Sequence, residues 1–103
     1  MHLDLKPANI LVNLNHDLKI TDCGLSRSIN ATVDLAHCVC SRWYRPPEVT
    51  VQLLPYTIAV DVWSVGAILA ELYSSTFAPL FPADSDDSQL GVILRVMGIS
   101  SYL

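Results

Sequence analysis

The sequence predicts a mainly α fold that carries one small β-hairpin and forms part of a larger α+β domain. Of its 103 residues, 51% are apolar and only 16% are charged, whereas about a quarter of residues are charged in an average domain. A chain this rich in apolar residues is not disordered, yet a fold of this size leaves much of its surface in water. Residues 58–73 are apolar on nearly every side, which is typical of a helix inside a larger domain. We therefore expect part of the core's packing partner to lie outside the chain.

The first half of the chain predicts the hairpin and a long loop. Residues 10–13 and 18–21 are short β-prone runs, and the turn-rich residues 14–17 join them. Residues 22–48 show no sustained period and include Gly24 and the pair Pro46 and Pro47. Long loops of this kind in compact domains are usually functional or disordered.

Three helical segments are predicted in the second half. Residues 48–53 favour a short helical turn that Pro55 ends, and Thr57 is a plausible N-cap for the apolar helix at 58–73. A last helix is expected to be capped at Asp86 or a neighbouring residue and to stop at Gly98. Its apolar positions recur at helical spacing, at Leu90, Ile93, Leu94 and Met97.

Charge, cysteines and length exclude several classes of partner. The formal net charge is −4 and the six cations are scattered, so no basic face predicts nucleic-acid binding. Residues 58–73 are too few, and include the acids Asp61 and Glu71, for a membrane span of about 20 apolar residues. The three cysteines lack a C-x-x-C pair, which favours reduced thiols over a zinc site. A cytoplasmic or nuclear protein is the expectation.

The side chains suited to chemistry lie in the first half. Asp4, Lys6 and Asn9 share one short loop, Asp22 follows the predicted hairpin, and Glu48 closes the long loop. Carboxylate and amide oxygens are hard ligands for Mg²⁺. A lysine beside them can neutralise charge on a transferring phosphoryl group. Each residue alone is unremarkable, because a loop aspartate is more often a turn or cap residue.

The spacing of these residues resembles that of serine/threonine protein kinases. Residues 2–9 match the catalytic loop H-R-D-L-x-x-x-N except at the Arg, residues 22–24 stand where D-F-G belongs, and residues 46–48 stand where A-P-E belongs. Residues 41–45 and 61–66 look like the mitogen-activated and cyclin-dependent group of kinases, the CMGC group. The resemblance covers residues 1–103 and implies a partial kinase C-lobe, with the N-lobe absent.

The resemblance implies a role for each matching residue. Asp4 would be the catalytic base, Lys6 would contact the γ-phosphate of ATP, and Asn9 and Asp22 would hold Mg²⁺. The remaining matches would be structural or belong to the activation segment. They are His2 of the catalytic loop, Ser41 as the link from the substrate loop to Asp4, Arg45 near the substrate loop, Glu48 as partner of a later Arg, and Asp61 as acceptor of catalytic-loop N–H groups.

Two departures from the family pattern bear on regulation. Leu3 replaces the Arg that in the family pairs with a phosphorylated activation-segment residue, and residues 36–38 stand where mitogen-activated kinases carry Thr-x-Tyr. Switching by dual phosphorylation is therefore expected to be absent. Cys23 replaces the Phe of D-F-G, which would loosen the active arrangement without abolishing metal binding.

Three interpretations of function follow. In the first, residues 1–103 are a fragment of a kinase that in complete form transfers the γ-phosphate of Mg-ATP to serine or threonine hydroxyls. The Gly-rich loop and strand Lys that grip ATP would precede residue 1, so the chain alone is expected to bind ATP weakly and be inactive. In the second, a pseudokinase or truncated kinase binds kinase-pathway proteins. In the third, the chain is an inactive remnant.

Overall fold

A computed structural model describes residues 1–29, 42–53 and 55–99 of the chain. Two strands, β1 (Ile10–Val12) and β2 (Leu18–Ile20), are followed by three helices, α1 (Pro47–Thr50), α2 (Ala59–Tyr73) and α3 (Asp86–Val96). Single turns of 3₁₀ helix occupy Pro7–Asn9 and Arg42–Tyr44. The prediction of a mostly helical chain with one small hairpin is confirmed.

The hairpin pairs β1 and β2 antiparallel, with Ile10 opposite Ile20. Asn13 organises the turn, because its Oδ1 accepts the N–H groups of Asn15 at 2.9 Å and Asp17 at 2.8 Å. His16 completes the reversal at φ 66°, in the left-handed region. Each strand is one residue shorter than predicted, since Asn13 belongs to the turn.

Helix α2 begins later than the sequence predicts. Ile58, and not Thr57, occupies the N-cap position. The Thr57 hydroxyl still accepts the N–H of Ala59 at 3.3 Å, so the predicted polar residue contacts the helix start one position outside the cap. The helix ends at Tyr73, where the N–H of Ser74 turns back to the carbonyl of Ala70.

Helix α3 has well-defined ends. Ser85 and Ser88 form a reciprocal capping box, so the cap is the neighbour of Asp86 that the sequence allowed. Asp86 and Asp87 add negative charge in the first turn, where the helix dipole favours it. Beyond the helix, Gly98 adopts φ 77°, a conformation that glycine reaches without a Cβ clash.

The apolar residues form two buried clusters, and each includes a residue of the loop at residues 2–9. Cluster A packs the loop against the start of α2 and comprises Leu3, Val49, Tyr56 and Val60, with Met1 and Leu25 against it. Cluster B packs the middle of α2 against α3 and comprises Leu5, Tyr44, Ala67, Ile68, Phe81 and Ile93, with Ile10, Trp43, Trp63 and Val92 against it. The opposite side of α2 is exposed at Val62, Val65, Leu69 and Leu72.

The described residues therefore cover α2 on only one side. The sequence predicts a helix that is enclosed by a larger domain, and the exposed side is where such a domain would pack. Among the described residues, no helix is both long enough and apolar enough to cross a membrane.

Candidate phosphate-transfer site

The loop at residues 4–9 brings the predicted catalytic side chains together. The Lys6 Nζ lies 3.7 Å from the Asp4 Oδ2, and the Asp4 side chain is only 10% exposed. The Asn9 Nδ2 donates to the Asp4 backbone carbonyl at 2.8 Å and lies 3.4 Å from its carboxylate. Pro7 begins the 3₁₀ turn and Asn9 ends it, so the turn folds the amide back onto Asp4. The Asp4 carboxylate and the Lys6 ammonium thus lie next to each other.

Asp61 of α2 binds the backbone at the start of this loop. Its two carboxylate oxygens accept the backbone N–H groups of His2 at 2.7 Å and Leu3 at 2.9 Å. Hydrogen bonds to a charged acceptor are shorter and stronger than neutral ones. A carboxylate on a mostly apolar helix thereby binds the loop immediately before Asp4.

His2 links the loop to the end of the hairpin. Its Nδ1 accepts the N–H of Asp4 at 3.2 Å, and its Nε2 lies 2.9 Å from the carbonyl of Thr21. Because a carbonyl only accepts, this pairing puts the ring proton on Nε2. The N–H of Thr21 in turn donates to the carbonyl of Asn9 at 2.8 Å. The residue before Asp22 is therefore bonded to the backbone of Asn9.

The two predicted metal ligands have donor atoms that fit a hard cation. Asp22 is exposed, adopts φ 60°, and accepts the N–H of Gly24 at 3.4 Å. The nitrogen of the Asn9 amide is engaged with Asp4, so the amide oxygen is the atom suited to a metal. Oxygen ligands of this kind suit Mg²⁺, which keeps several of its waters. Across the described ranges, no group of three or more His, Cys, Asp or Glu side chains could hold a metal.

A pocket of about 290 Å³ opens beside Lys6. Its lining is Lys6, Pro7, Ala8, Trp43, Tyr44 and Glu71. The Tyr44 hydroxyl donates to the Glu71 Oε2 at 2.6 Å. Burial raises the pKa of the Tyr44 hydroxyl above its usual range, and the hydrogen bond to Glu71 and its negative charge raise it further.

Residues 42–44 are bound to the region before and at the start of α3. The Arg42 guanidinium donates to the Asp86 carboxylate at 3.0 Å and to the Asp84 carbonyl at 2.9 Å. The Trp43 indole donates to the Ala83 carbonyl at 2.8 Å. These bonds place Tyr44 against α2, where its carbonyl accepts the Ser64 hydroxyl at 2.6 Å.

The remaining predicted site residues are Arg45, Glu48 and Ser41. Arg45 is half-buried and its N–H donates to the Arg42 carbonyl at 3.1 Å. Glu48 is half-buried in the first turn of α1. Ser41 lies outside the described residues.

Sequence reasoning did not assign a role to the bond between Tyr44 and Glu71. A signal was present in the spacing of the carboxylates on α2. Asp61 and Glu71 lie ten residues apart, so about 80° separates them around the helix and both fall within the same half of its circumference. Each carboxylate binds a segment that crosses this half of the helix: Asp61 binds the loop at His2 and Leu3, and Glu71 binds the 3₁₀ turn at Tyr44.

Comparison with known proteins agrees with the geometry. A family model of the protein kinase domain matches residues 1–101. Extracellular signal-regulated kinase 1 of Candida albicans is 49% identical over 102 residues, covering 95% of this chain and 24% of that protein. Mitogen-activated protein kinase mpkB of Aspergillus fumigatus is 49% identical over 102 residues, covering 95% of this chain and 28% of that protein.

A plant protein shows similar agreement. Mitogen-activated protein kinase 5 of Arabidopsis thaliana is 48% identical over 98 residues, covering 95% of this chain and 26% of that protein. The chain therefore spans about a quarter of the length of the relatives it matches.

Proposed function

Because this chain belongs to the protein kinase family, with mitogen-activated kinases among its relatives, we propose that residues 2–22 carry the phosphate-transfer chemistry of a serine/threonine kinase. The observation that carries the proposal is the Asp4 carboxylate, which Asn9 holds beside the Lys6 ammonium. The substrate would be a serine or threonine hydroxyl of a protein, and the phosphate donor would be ATP.

The chain's own residues have distinct tasks in the proposed reaction. Asp4 would orient the substrate hydroxyl and accept its proton as the oxygen bonds to the γ-phosphorus of ATP, while the bond from that phosphorus to the β,γ-bridging oxygen breaks and ADP leaves. Lys6 offsets the negative charge that develops on the transferred phosphoryl group. Asn9 and Asp22 would hold Mg²⁺, which neutralises charge on the ATP phosphates when bound. Asp61 and His2 keep the loop in place and touch neither reactant.

Two features concern regulation and partners. Leu3 has an uncharged side chain that is buried in cluster A, so it cannot form an ion pair with a phosphorylated residue. We therefore propose that dual phosphorylation does not switch this site. Protein substrates or kinase-pathway proteins are the proposed partners, and the cytoplasm or nucleus is the proposed location.

The metal site is tested by NMR with Mn²⁺ as a paramagnetic stand-in for Mg²⁺. We expect the Asn9 side-chain amide and the Asp22 amide to broaden at lower Mn²⁺ than the amides of Asp86 and Asp87. Asp22→Asn should remove the difference, whereas Asp17→Asn, in the hairpin turn, should preserve it. Uniform broadening at all exposed acids would contradict a metal role for Asn9 and Asp22.

Phosphate transfer is tested in a chimera of the Candida albicans relative, in which residues 1–99 of this chain replace the matching segment. We expect Mg²⁺-dependent transfer to serine or threonine that falls on the order of 10²- to 10⁴-fold with Asp4→Asn. The isolated chain is expected to transfer phosphate negligibly. A folded chimera without activity would reject the proposal.

A second candidate function is a pseudokinase that binds kinase-pathway proteins. Cys23 in the place of an aromatic residue, and Leu3 in the place of a cation, are the observations that favour it. The same chimera separates the two functions, because a pseudokinase would retain binding to pathway kinases while Asp4→Asn changed nothing.

A further inference from the structure

An apolar groove lies between the hairpin and the exposed side of α2. Its volume is about 450 Å³, and the ten described residues that line it are all apolar. Two of them, Leu5 and Ile68, are buried, and the others come from the hairpin, from Pro7 and from α2. Removing apolar surface from water is favourable, so an apolar partner that covered this lining would be bound by it.

The hairpin contributes one of its two faces to the groove. That face carries two opposed pairs of the ladder, Ile10 with Ile20 and Val12 with Leu18. Lys19 lies opposite Leu11, so its side chain belongs to the other face. Three of the four apolar side chains on the groove face are 53% to 62% exposed, namely Val12, Leu18 and Ile20. The face is therefore uncharged and open to water.

Helix α2 contributes an apolar stripe to the opposite wall. The stripe consists of side chains spaced three and four positions apart and 44% to 66% exposed, namely Val62, Val65, Leu69 and Leu72. The last three line the groove, and Val62 extends the stripe beyond it. The two acids of α2 are bound elsewhere, Asp61 to the backbone of the loop at residues 2–9 and Glu71 to the Tyr44 hydroxyl. Neither acid is among the described residues that line the groove.

The exposed area of the two walls matches the size of a small homodimer interface. Complete burial of an aliphatic side chain removes roughly 100 Å² of apolar surface from water. The exposed side chains of the two walls are each about half exposed, so one copy offers on the order of 400 Å². Apolar atoms form about 60% of a typical interface, so the whole contact would bury roughly 1,300 Å² over two copies. Specific interfaces begin at about 1,200 Å².

We propose that the groove and the α2 stripe form the interface of a weak homodimer. In a two-fold arrangement, the stripe of each copy packs between the hairpin and α2 of the other copy, and the same surface is used twice. Each chain has a net charge of −4, but the acids of α2 and Lys19 lie away from this surface, so the contact brings no like charges together. An interface near the lower limit of area is weak, and we expect a Kd on the order of 10 to 100 μM. The monomer, with Leu69 exposed, therefore predominates at about 1 μM.

Sedimentation equilibrium of the full 103-residue chain tests the dimer. Between about 1 and 300 μM, we expect the average mass to rise from that of the monomer toward twice that value and to level off. A monomer mass throughout this range would overturn the proposal, and it is the result expected if the groove is covered within one molecule. A mass that climbs past the dimer without levelling off would also overturn it, because a two-fold contact closes.

Two substitutions of exposed leucines separate this surface from nonspecific apolar association. Leu69→Glu places a negative charge from each copy in the proposed contact, and it should raise the Kd at least tenfold, on the order of what like charges cost at an interface. Leu53→Glu is the matched control, because Leu53 is 64% exposed and is not among the described residues that line the groove. It should dimerise as the wild type does. Circular dichroism checks that both variants fold, and a folded Leu69→Glu that associates as strongly as the wild type would overturn the proposal.

NMR spectra of the wild-type chain locate the contact without any substitution. Between about 10 and 300 μM, the amide signals of Val12, Leu18 and Leu72 should shift more than those of Ile93 and Met97, which lie in and after α3. Shifts that are spread evenly over the chain, or that are largest in α3, would contradict the proposed surface. Inactivity of the chimera would reject the proposed kinase activity and leave these measurements unaffected.

Discussion

The two sides of α2 differ in what they contact. One side carries Asp61, Ser64 and Glu71, and each of these side chains is hydrogen-bonded to the loop or the 3₁₀ turn that crosses the helix. The other side exposes Val62, Val65, Leu69 and Leu72. The polar contacts of the site are thus made within this chain, whereas the apolar side lacks a covering layer among the described residues.

The difference follows from how the two kinds of interaction work. A half-buried carboxylate such as Asp61 requires hydrogen-bond donors at particular positions, and the loop at residues 2–9 supplies them. An apolar side only requires contact with any apolar surface of suitable shape. We expect α2 to lie at the centre of a longer kinase C-lobe, where its exposed side would be buried.

The largest loss of stability is expected for a substitution of Asp61, on the side of α2 that carries the hydrogen bonds. Asp61→Asn keeps one acceptor oxygen but turns an NH₂ group toward the N–H of His2 or Leu3. The lost hydrogen bond to a charged acceptor, together with the part-buried N–H group left without a partner, should cost roughly 3 to 5 kcal/mol. Urea unfolding followed by circular dichroism measures the loss. Asp87→Asn is the control on an exposed acid, and a loss for Asp61→Asn as small as the control's would contradict the assignment.

The next prediction compares two consecutive residues of equal size in α2, one buried and one exposed. Ile68 is 6% exposed and Leu69 is 49% exposed. Ile68→Ala leaves a cavity in cluster B and should cost about 3 kcal/mol in the free energy of unfolding. Leu69→Ala should cost no more than about 1 kcal/mol, because most of the removed surface already contacts water.

Equal losses in the free energy of unfolding for Ile68→Ala and Leu69→Ala would contradict a difference in burial between the two sides of α2. They would show that the Leu69 side is covered in solution, either by self-association or within a single molecule. Sedimentation at several concentrations of the chain separates those two cases. A loss at Leu69 that grows with concentration would indicate self-association.

Much of this arrangement could be predicted from the sequence, for reasons tied to spacing. The loop at residues 2–9 and the carboxylate of Asp61 follow a pattern of residue types, and the hairpin follows from two β-prone runs around a turn. The helix boundaries were predicted less well. Thr57 is a strong cap by composition, yet Ile58 takes the N-cap position, and the Thr57 hydroxyl accepts the N–H of Ala59 from one residue further out.

Other features could not be predicted because they depend on contacts between distant segments. Leu3 was predicted to lack a role as a phosphate receiver, but its burial with Leu25 and Val49 requires the folded arrangement of three segments. The bond between Tyr44 and Glu71 spans 27 residues. Periodicity describes which side of a helix is polar, and it does not identify the partner that crosses that side.

A third prediction concerns how the stabilising contribution of the Tyr44 hydroxyl depends on pH. The folded-state pKa of Tyr44 is raised, so its stabilising contribution is complete below pH 10, the usual pKa of tyrosine, and is lost as pH rises above it. The wild type should lose up to about 1.4 kcal/mol of stability per pH unit more than Tyr44→Phe in that range. Urea unfolding at pH 9, 10 and 11 measures the difference.

Other groups titrate above pH 10, and they are common to both proteins. The difference between wild type and Tyr44→Phe therefore isolates the Tyr44 hydroxyl. If the two stability curves ran parallel from pH 9 to 11, the hydroxyl would not be buried against Glu71 in solution.

The smallest effect is expected where the 3₁₀ turn meets α3. Arg42 and Asp86 form an ion pair at 3.0 Å, but the Asp86 side chain is 53% exposed. Exposed pairs of this kind contribute about 0.2 to 1 kcal/mol, and salt screens them. Asp87 shares the first turn of α3 and its favourable position on the helix dipole. The extra cost of Asp86→Asn over Asp87→Asn in urea unfolding therefore measures the pair, and it should vanish in 1 M NaCl. A difference that persists at that salt concentration would contradict a screened surface ion pair. It would mean that the hydrogen bond between Arg42 and Asp86 stabilises the fold without help from the attraction of their charges.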